Sequence, residues 1–322
     1  MTISLKEGRS SLLQANAGLK GSLKYIYRSM PFKRKLFTIL RDKFGVHRLP
    51  YSYLRYLAFK GPFTIKTENA GFLMVNGYGF EIEASLFWKG ANSFETETMK
   101  IWKMLAKSAK NIIDVGANTG VYTLFAKDAN PHAHVYAFEP IERVFSHLDL
   151  NRRINKQRKF YFDFKCYRIA LSDYSGQGMM YDLPVEHMYT ASLNKNVHEE
   201  RGQQLQALME AVQVMRIDDF LHENSIDRLD LVKIDVESHE PAVIRGIGSF
   251  LVSSHPSMIV EIWNNDVGKK VEEALGGCSY LYFAINENGP KLVPHIENDY
   301  PEMGYINYLI CTKEIAIDLK IV

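Results

Sequence analysis

The stretch Asn111-Ile-Ile-Asp-Val-Gly-Ala-Asn-Thr-Gly120, continued as far as Phe138-Glu139-Pro140, decides how the chain reads. Ile112, Ile113 and Val115 make a short β-branched apolar run, the pattern of a strand buried on both faces. Asp114 interrupts it. Gly116, Asn118 and Gly120 then supply a tight turn suited to special backbone angles or close backbone approach. Val121 to Asp128 has helical spacing, and Val135 to Phe138 is a second apolar run ending in Glu139. Strand, glycine turn, helix, strand, and an acid about twenty residues past the turn is the grammar of a nucleoside-cofactor site.

Spacing chooses the cofactor. A dinucleotide fingerprint, G-x-G-x-x-G, offers a pyrophosphate the N-terminus of its helix. Here the turn reads D-V-G-A-N-T-G, with an acid in front and Asn118 where a second glycine would stand. A carboxylate at Asp114 would repel a pyrophosphate, which disfavours an NAD-dependent oxidoreductase. The same carboxylate suits a ligand carrying an ammonium and a sulfonium, as S-adenosylmethionine does, and Glu139 can accept both ribose hydroxyls. The plainer reading makes Asp114 a turn cap and Glu139 a strand-end surface acid.

Length and composition narrow the class. A chain of 322 residues can bury a substantial core in one large or two small domains. Its formal net charge of +2 carries no global signal for nucleic acid. Cys166, Cys278 and Cys311 are widely spaced in apolar runs, which predicts buried reduced thiols and no disulfide or metal pattern. No run of eighteen apolar residues and no signal-peptide h-region occurs, so a cytoplasmic protein is expected. Charge is uneven, however. Between Lys20 and Lys60 stand eleven Lys or Arg and a single acid, Asp42, interleaved with apolar residues at helical spacing. Two or three basic amphipathic helices over residues 1–62 follow, suited to the inner face of an anionic membrane or to an anionic carrier, or merely solvated on their basic side.

Residues 63–109 read as a small β meander, with strands over Phe63–Thr67, Phe72–Val75 and Tyr78–Ile82, and a lead-in helix over Phe94–Lys107. Residues 110–322 form the main domain. After Glu139-Pro140 comes a helix to about Asn155, a strand over Phe162–Ile169, and the small-residue segment Ala170-Leu171-Ser172-Asp173, where an adenine could lie flat. Residues 175–210 read as an irregular insert covering the site, with His187 and Tyr189 as possible acceptor contacts. Further strands are expected at Val212–Ile217, Leu229–Asp235, Met258–Ile262, Tyr280–Ile285 and Tyr305–Cys311. This alternation predicts a doubly wound α/β sheet with an antiparallel edge.

Five motifs in order then resemble a known family: Asp114-Val-Gly-Ala-Asn-Thr-Gly120, Phe138-Glu-Pro140, Ile169-Ala-Leu-Ser-Asp173, Ile217-Asp-Asp-Phe220 and Lys233-Ile-Asp-Val-Glu-Ser-His-Glu240. They are similar to the FkbM family of S-adenosylmethionine-dependent methyltransferases, over about Lys110 to Thr312. The family usually has Gly where Ser238 stands. The resemblance implies a class I methyltransferase (Rossmann-like) fold with a seven-stranded sheet, and O-methylation, often of sugars in polyketides or surface glycans. It implies that Asp114, Gly116 and Asn118 line the methionine and ribose end of the cofactor, that Glu139 binds the ribose hydroxyls, and that Ala170 and Leu171 flank the adenine. The acceptor is then expected to be a sugar hydroxyl in a glycan or its lipid- or nucleotide-linked precursor, with self-association left open. A non-catalytic scaffold that keeps the fold is the other rival.

A sugar hydroxyl attacks only as its proton leaves, which requires a base or a metal. Two routes fit the strand-end residues. His239 could be the base, oriented by Asp235 or Glu237. Alternatively Asp235, Glu261 and Asn264 could hold a hard cation such as Mg²⁺.

Overall fold

The computed structural model describes residues 32–44, 54, 57, 59–77, 81–156, 163–182, 191–193, 208–298 and 306–322. The chain divides into two compact units, residues 1–65 with 74–91 and residues 66–73 with 92–322. The lead-in helix therefore belongs to the main unit, whereas the sequence grouped it with the meander.

The first unit carries helix α1 (Phe32–Phe44), strand β1 (Gly61–Ile65), most of strand β2 (Phe72–Asn76) and helix α2 (Glu81–Lys89). β1 and β2 pair as a two-stranded sheet. The core is aromatic: Phe59 and Phe87 meet edge to face at 4.6 Å between ring centres, and the Arg41 guanidinium sits 4.8 Å above Phe87. Such ring pairs bury large areas with favoured geometry. Of the expected basic leader, α1 is observed, with Phe37 buried and Arg34, Lys35 and Lys43 exposed. Its other predicted helices lie outside the described residues. The expected third meander strand is corrected, because Glu81 and Ile82 open α2. The run Glu-Ile-Glu-Ala-Ser-Leu-Phe-Trp is rich in good helix formers, and that preference prevails over the alternation seen at its start.

The second unit opens with helix α3 (Thr96–Ala106), strand β3 (Asn111–Val115), helix α4 (Val121–Ala129), strand β4 (His134–Phe138), helix α5 (Glu142–Lys156) and strands β5 (Lys165–Tyr167), β6 (Ala170–Leu171), β7 (Gly176–Asp182) and β8 (Leu208–Met215). Helix α6 (Ile217–Glu223), strand β9 (Leu231–Ile234), helices α7 (Glu240–Ile247) and α8 (Phe250–Ser253), strand β10 (Ser257–Ile262) and helix α9 (Asn265–Leu275) follow. Strands β11 (Leu281–Asn286), β12 (Gly289–Val293) and β13 (Ile306–Cys311) and helix α10 (Lys313–Asp318) complete it.

The main sheet runs β12-β11-β13-β10-β9-β3-β4-β5. From β10 to β5 neighbouring strands are parallel. β9, β10 and β13 are buried at every position, as strands covered by helices on both faces must be. Two details differ from expectation. The sheet has eight strands, since β12 returns from β11 as a hairpin. The antiparallel β13 is also internal, wedged between β10 and β11.

The described residues at the two ends of the expected insert form strands. Gly176–Asp182 and Leu208–Met215 pair antiparallel, with β6 on the other side of β8, in a separate three-stranded sheet. Val212 and Val214 alternate inward and bury with Met180 and Ala170. His187 and Tyr189 lie outside the described residues.

Candidate active site

The site gathers at the carboxyl ends of β3, β4, β9 and β10, where an open α/β sheet leaves a crevice. β3 enters as Ile112-Ile113, both buried, and leaves through Gly116 at φ +73° and Asn118 at φ +53°. The Gly116 and Ala117 amides both donate to Phe138 O, at 3.0 and 2.9 Å, so the turn folds back onto β4. Glu139 then locks it. One carboxylate oxygen accepts the Asn118 amide at 3.1 Å and the other the Ile141 amide at 3.0 Å. Burial pushes the Glu139 carboxyl up to about 7, against those two amides and Arg143.

Asp114 is buried and accepts the Thr123 hydroxyl at 2.6 Å. Burial pushes it up to about 6, with Thr123 and Lys233 opposing. Asn118 Oδ1 is buried and has no hydrogen-bond partner among the described residues. An orphaned acceptor on a turn held by one buried carboxylate and preceded by another fits a ligand bringing an amine, hydroxyls and positive charge. S-adenosylmethionine carries all three. Ala170 belongs to the small cluster that includes Ile141, whose amide holds Glu139. Leu171 faces the main core with Phe138. Gly116, Asn118 and Glu139 are thus tied together at the turn that follows Asp114, and Ala170 packs with Ile141.

The predicted catalytic residues separate into two groups. Asp235, Glu237 and Glu261 share one charge cluster, whose centre is not among the residues expected from the sequence. That centre is Lys233, a fully buried ammonium 3.5 Å from Asp235 Oδ2 and 5.0 Å over the Tyr122 ring. Burial alone would depress its pKa. The carboxylates of Asp235, Glu95, Glu261 and Asp114 more than reverse this and raise it. Glu261 is raised well above the usual carboxylate range by burial, then by Asp235 and Glu237, although Lys233 opposes. The Trp263 indole N–H donates to it at 2.6 Å. A lone lysine inside the apolar strand Leu231-Val-Lys-Ile234 was the available signal.

His239 belongs elsewhere. Its Nε2 lies 2.9 Å from the Ser172 hydroxyl, and burial lowers its pKa to about 4. That imidazole is neutral at pH 7 and a poor base. It ties the Ala170–Asp173 segment to α7 instead of joining Asp235 and Glu237. The turn between them explains why. Glu237 at φ +60° and Ser238 at φ +70° are both left-handed, and the buried Glu240 closes the loop by accepting the Val236 and Ser238 amides at 3.2 and 3.1 Å. Ser238 adopts the angle that glycine takes at no steric cost. Ser238→Gly is therefore expected to stabilise the protein by about 0.5–1 kcal/mol, the strain released less the extra freedom of the unfolded chain. Chemical denaturation measures this; a loss of stability would refute strain at this position.

The expected metal set is also corrected. Asn264 Oδ1 accepts the Val267 amide at 2.9 Å and caps α9. Glu261 is engaged by Trp263 and stands beside the Lys233 ammonium. Among the described residues no group of three or more His, Cys, Asp or Glu is placed to hold a metal ion. Asp235, Glu261 and Asn264 do not fit Mg²⁺.

Comparison with known proteins identifies the family. Residues 114–289 match the model described as the methyltransferase FkbM domain. The chain is 27% identical over 173 residues to methyltransferase sdnD of Sordaria araneosa, covering 47% of this chain and 66% of that one. It is 29% identical over 157 residues to the 31-O-demethyl-FK506 methyltransferase FkbM of Streptomyces tacrolimicus, covering 42% and 58%. The chain thus spans less than two thirds of either relative. Among solved structures, a methyltransferase FkbM from Methylobacillus flagellatus matches at 12% identity and a TM-score of 0.43, over 63% of this chain and 43% of that one.

Proposed function

The chain belongs to the FkbM methyltransferase family, and from that premise we propose that it is an S-adenosylmethionine-dependent O-methyltransferase acting on a sugar hydroxyl, in a surface glycan or its lipid- or nucleotide-linked precursor. The observation that carries the cofactor is the turn locked by Glu139, with the Asn118 Oδ1 acceptor and Asp114 buried beside it. Support for oxygen as the acceptor atom comes from the relative named for a 31-O-demethyl substrate. The basic leader is read as a contact to an anionic membrane surface, which the exposed Phe32 and Leu36 beside Arg34 and Lys35 support. Among the described residues no helix is long and apolar enough to cross a membrane.

When bound, S-adenosylmethionine supplies a methyl carbon made electrophilic by its sulfonium. The chain's residues do the rest. Asp114 attracts the cationic end, Asn118 accepts from it, and Glu139 accepts the ribose hydroxyls. With the methyl carbon supplied by the cofactor and its sulfur keeping the bonding electron pair, the chain's residues would have only to align the acceptor oxygen and take up its proton. The hydroxyl proton passes to the Asp235–Glu261 carboxylates. Lys233, 3.5 Å from Asp235, and the Trp263 indole N–H on Glu261 hold the two carboxylates in place.

The test is calorimetric titration with S-adenosylmethionine and with NAD between pH 5.5 and 8. Asp114 and Glu139 titrate near 6 and near 7, and their ionised forms are the ones that bind a cation and ribose hydroxyls. Affinity should therefore weaken as pH falls through 7 and then 6, by up to about tenfold per pH unit for each protonating group. A flat profile, or tighter binding of NAD, would sink the cofactor assignment. Cofactor binding without methyl release over a panel of glycans would favour the scaffold reading. A chelator should change nothing.

A further inference from the structure

A polar stripe crosses the main sheet away from the cofactor turn. Asp114 pairs in register with Lys233, Lys233 with Ile259, and Glu261 with Asn307. Because strand side chains alternate, Asp114, Lys233, Glu261 and Asn307 all project from one face. α4 lies over that face: Thr123 holds Asp114, and Tyr122 covers Lys233.

The stripe ends at a cavity of about 710 Å³ lined by residues preceding and opening α3 and by the ends of β11 and β13. Glu95 stands at its wall with φ +39° and ψ +55°, a left-handed conformation costly for a side chain of this kind. It does not cap α3. Its carboxylate accepts the Tyr122 hydroxyl and, at 2.9 Å, the Asn307 amide nitrogen. A carboxylate only accepts, so this bond fixes which end of the Asn307 amide is which. The other end, Oδ1, is buried in a residue 4% exposed and has no hydrogen-bond partner among the described residues. A buried acceptor without a donor is costly to leave unmet, and a ligand O–H or N–H would satisfy it. Asn307 is one of the residues lining the cavity, at the far end of the stripe that holds the proposed base.

Charge sets the class of ligand. Glu95, Glu97 and Glu287 line the cavity with the amides Asn286, Asn288 and Asn307, and its described lining includes no Lys, Arg or His. Glu97 has an outside partner in Lys100, at 2.5 Å. Such a wall is rich in hydrogen-bond acceptors and repels anions.

We propose that this cavity is the acceptor pocket and that it takes a hydroxyl-rich ring carrying no negative charge, with Asn307 and Glu95 positioning it. The proposal rests on the methyl-transfer reading above and names its acceptor class. Any phosphate or carboxylate of a precursor must lie outside the cavity.

The experiment uses the full chain loaded with S-adenosylhomocysteine and four probes of one ring: methyl glucoside, glucosamine, glucuronate and glucose 6-phosphate. Binding is read by saturation-transfer NMR and methyl transfer by mass in the S-adenosylmethionine form. The neutral and amino rings should bind at least about tenfold more tightly than the two anions. The E97K/E287K variant should narrow that preference at least about tenfold while its cofactor affinity stays unchanged, and Asn307→Leu should weaken the neutral ring about tenfold. Binding of no ring, preference for an anion, or a preference unmoved by the charge reversal would each overturn the pocket. Failure of S-adenosylmethionine to bind would instead overturn the methyltransferase reading, so the two failures are distinguishable.

Discussion

Gly116→Ala should lower stability by more than about 3 kcal/mol and weaken S-adenosylmethionine binding more than tenfold. Gly116 sits at φ +73°, where an alanine already costs about 1–2 kcal/mol. The larger penalty is steric. A Cβ there would lie 1.8 Å from Asp235 O and 2.9 Å from its carbonyl carbon, both backbone atoms. Neither side can give way easily. The Asp235 amide donates to Val115 O at 3.1 Å, and the amides of Gly116 and Ala117 are tied to Phe138 O. Relief would require spreading β3 from β9, which moves the turn and Asp235 together. A fall in Tm of about 10 °C is expected, since each kcal/mol is worth about 2–4 °C in a unit of this size. Gly277→Ala is the control, because Gly277 has φ +79° but open space around its missing Cβ. It should pay the strain alone, about 1–2 kcal/mol. Equal losses in thermal scans of the two variants would refute the close approach.

The cofactor half of this site was legible because its logic is local. Strand, turn and helix lie within Asn111–Ala129, and the turn demands Gly116 and Gly120 whatever the rest of the chain does. Glu139 was reachable as the strand end one crossover later. The acceptor half was not legible because it is made by register. Glu95 and Asn307 meet across 212 positions of sequence, only because β13 enters the sheet antiparallel between β10 and β11. No periodicity reports that order. His239 was misread for a related reason: its direction depends on two consecutive non-glycine residues at positive φ, which composition does not announce. Lys233 looks like one polar letter in a core strand, and its role appears only when carboxylates from β3, from the residue after β9, from β10 and from the residue before α3 converge on it.

That convergence makes Lys233→Met the most informative substitution in the cluster. Methionine fills much of the same space, so the change removes a charge more than a volume. In the native protein one buried ammonium faces Asp235, Glu95, Glu261 and Asp114. Removing one partner of a buried ion pair costs about 3–5 kcal/mol, chiefly because the remaining charges are left uncompensated. The expected loss at pH 8 is of that size. The sign with pH follows from Glu261 and Asp114, already raised in the folded protein and raised further once the ammonium is gone. A folded state that holds protons more tightly than the unfolded chain gains stability as pH falls toward the unfolded carboxylate range near about 4. The gap in Tm between Lys233→Met and the wild type should therefore be widest at pH 8 and shrink toward pH 5. Adding Glu261→Gln to Lys233→Met should recover part of the loss at pH 8, where the lone Glu261→Gln change leaves Lys233 with three carboxylates and costs less. A gap independent of pH, with no recovery in the double variant, would mean that Lys233 serves the fold through its packed stem, and that the carboxylates proposed to take the acceptor's proton are not held by its charge.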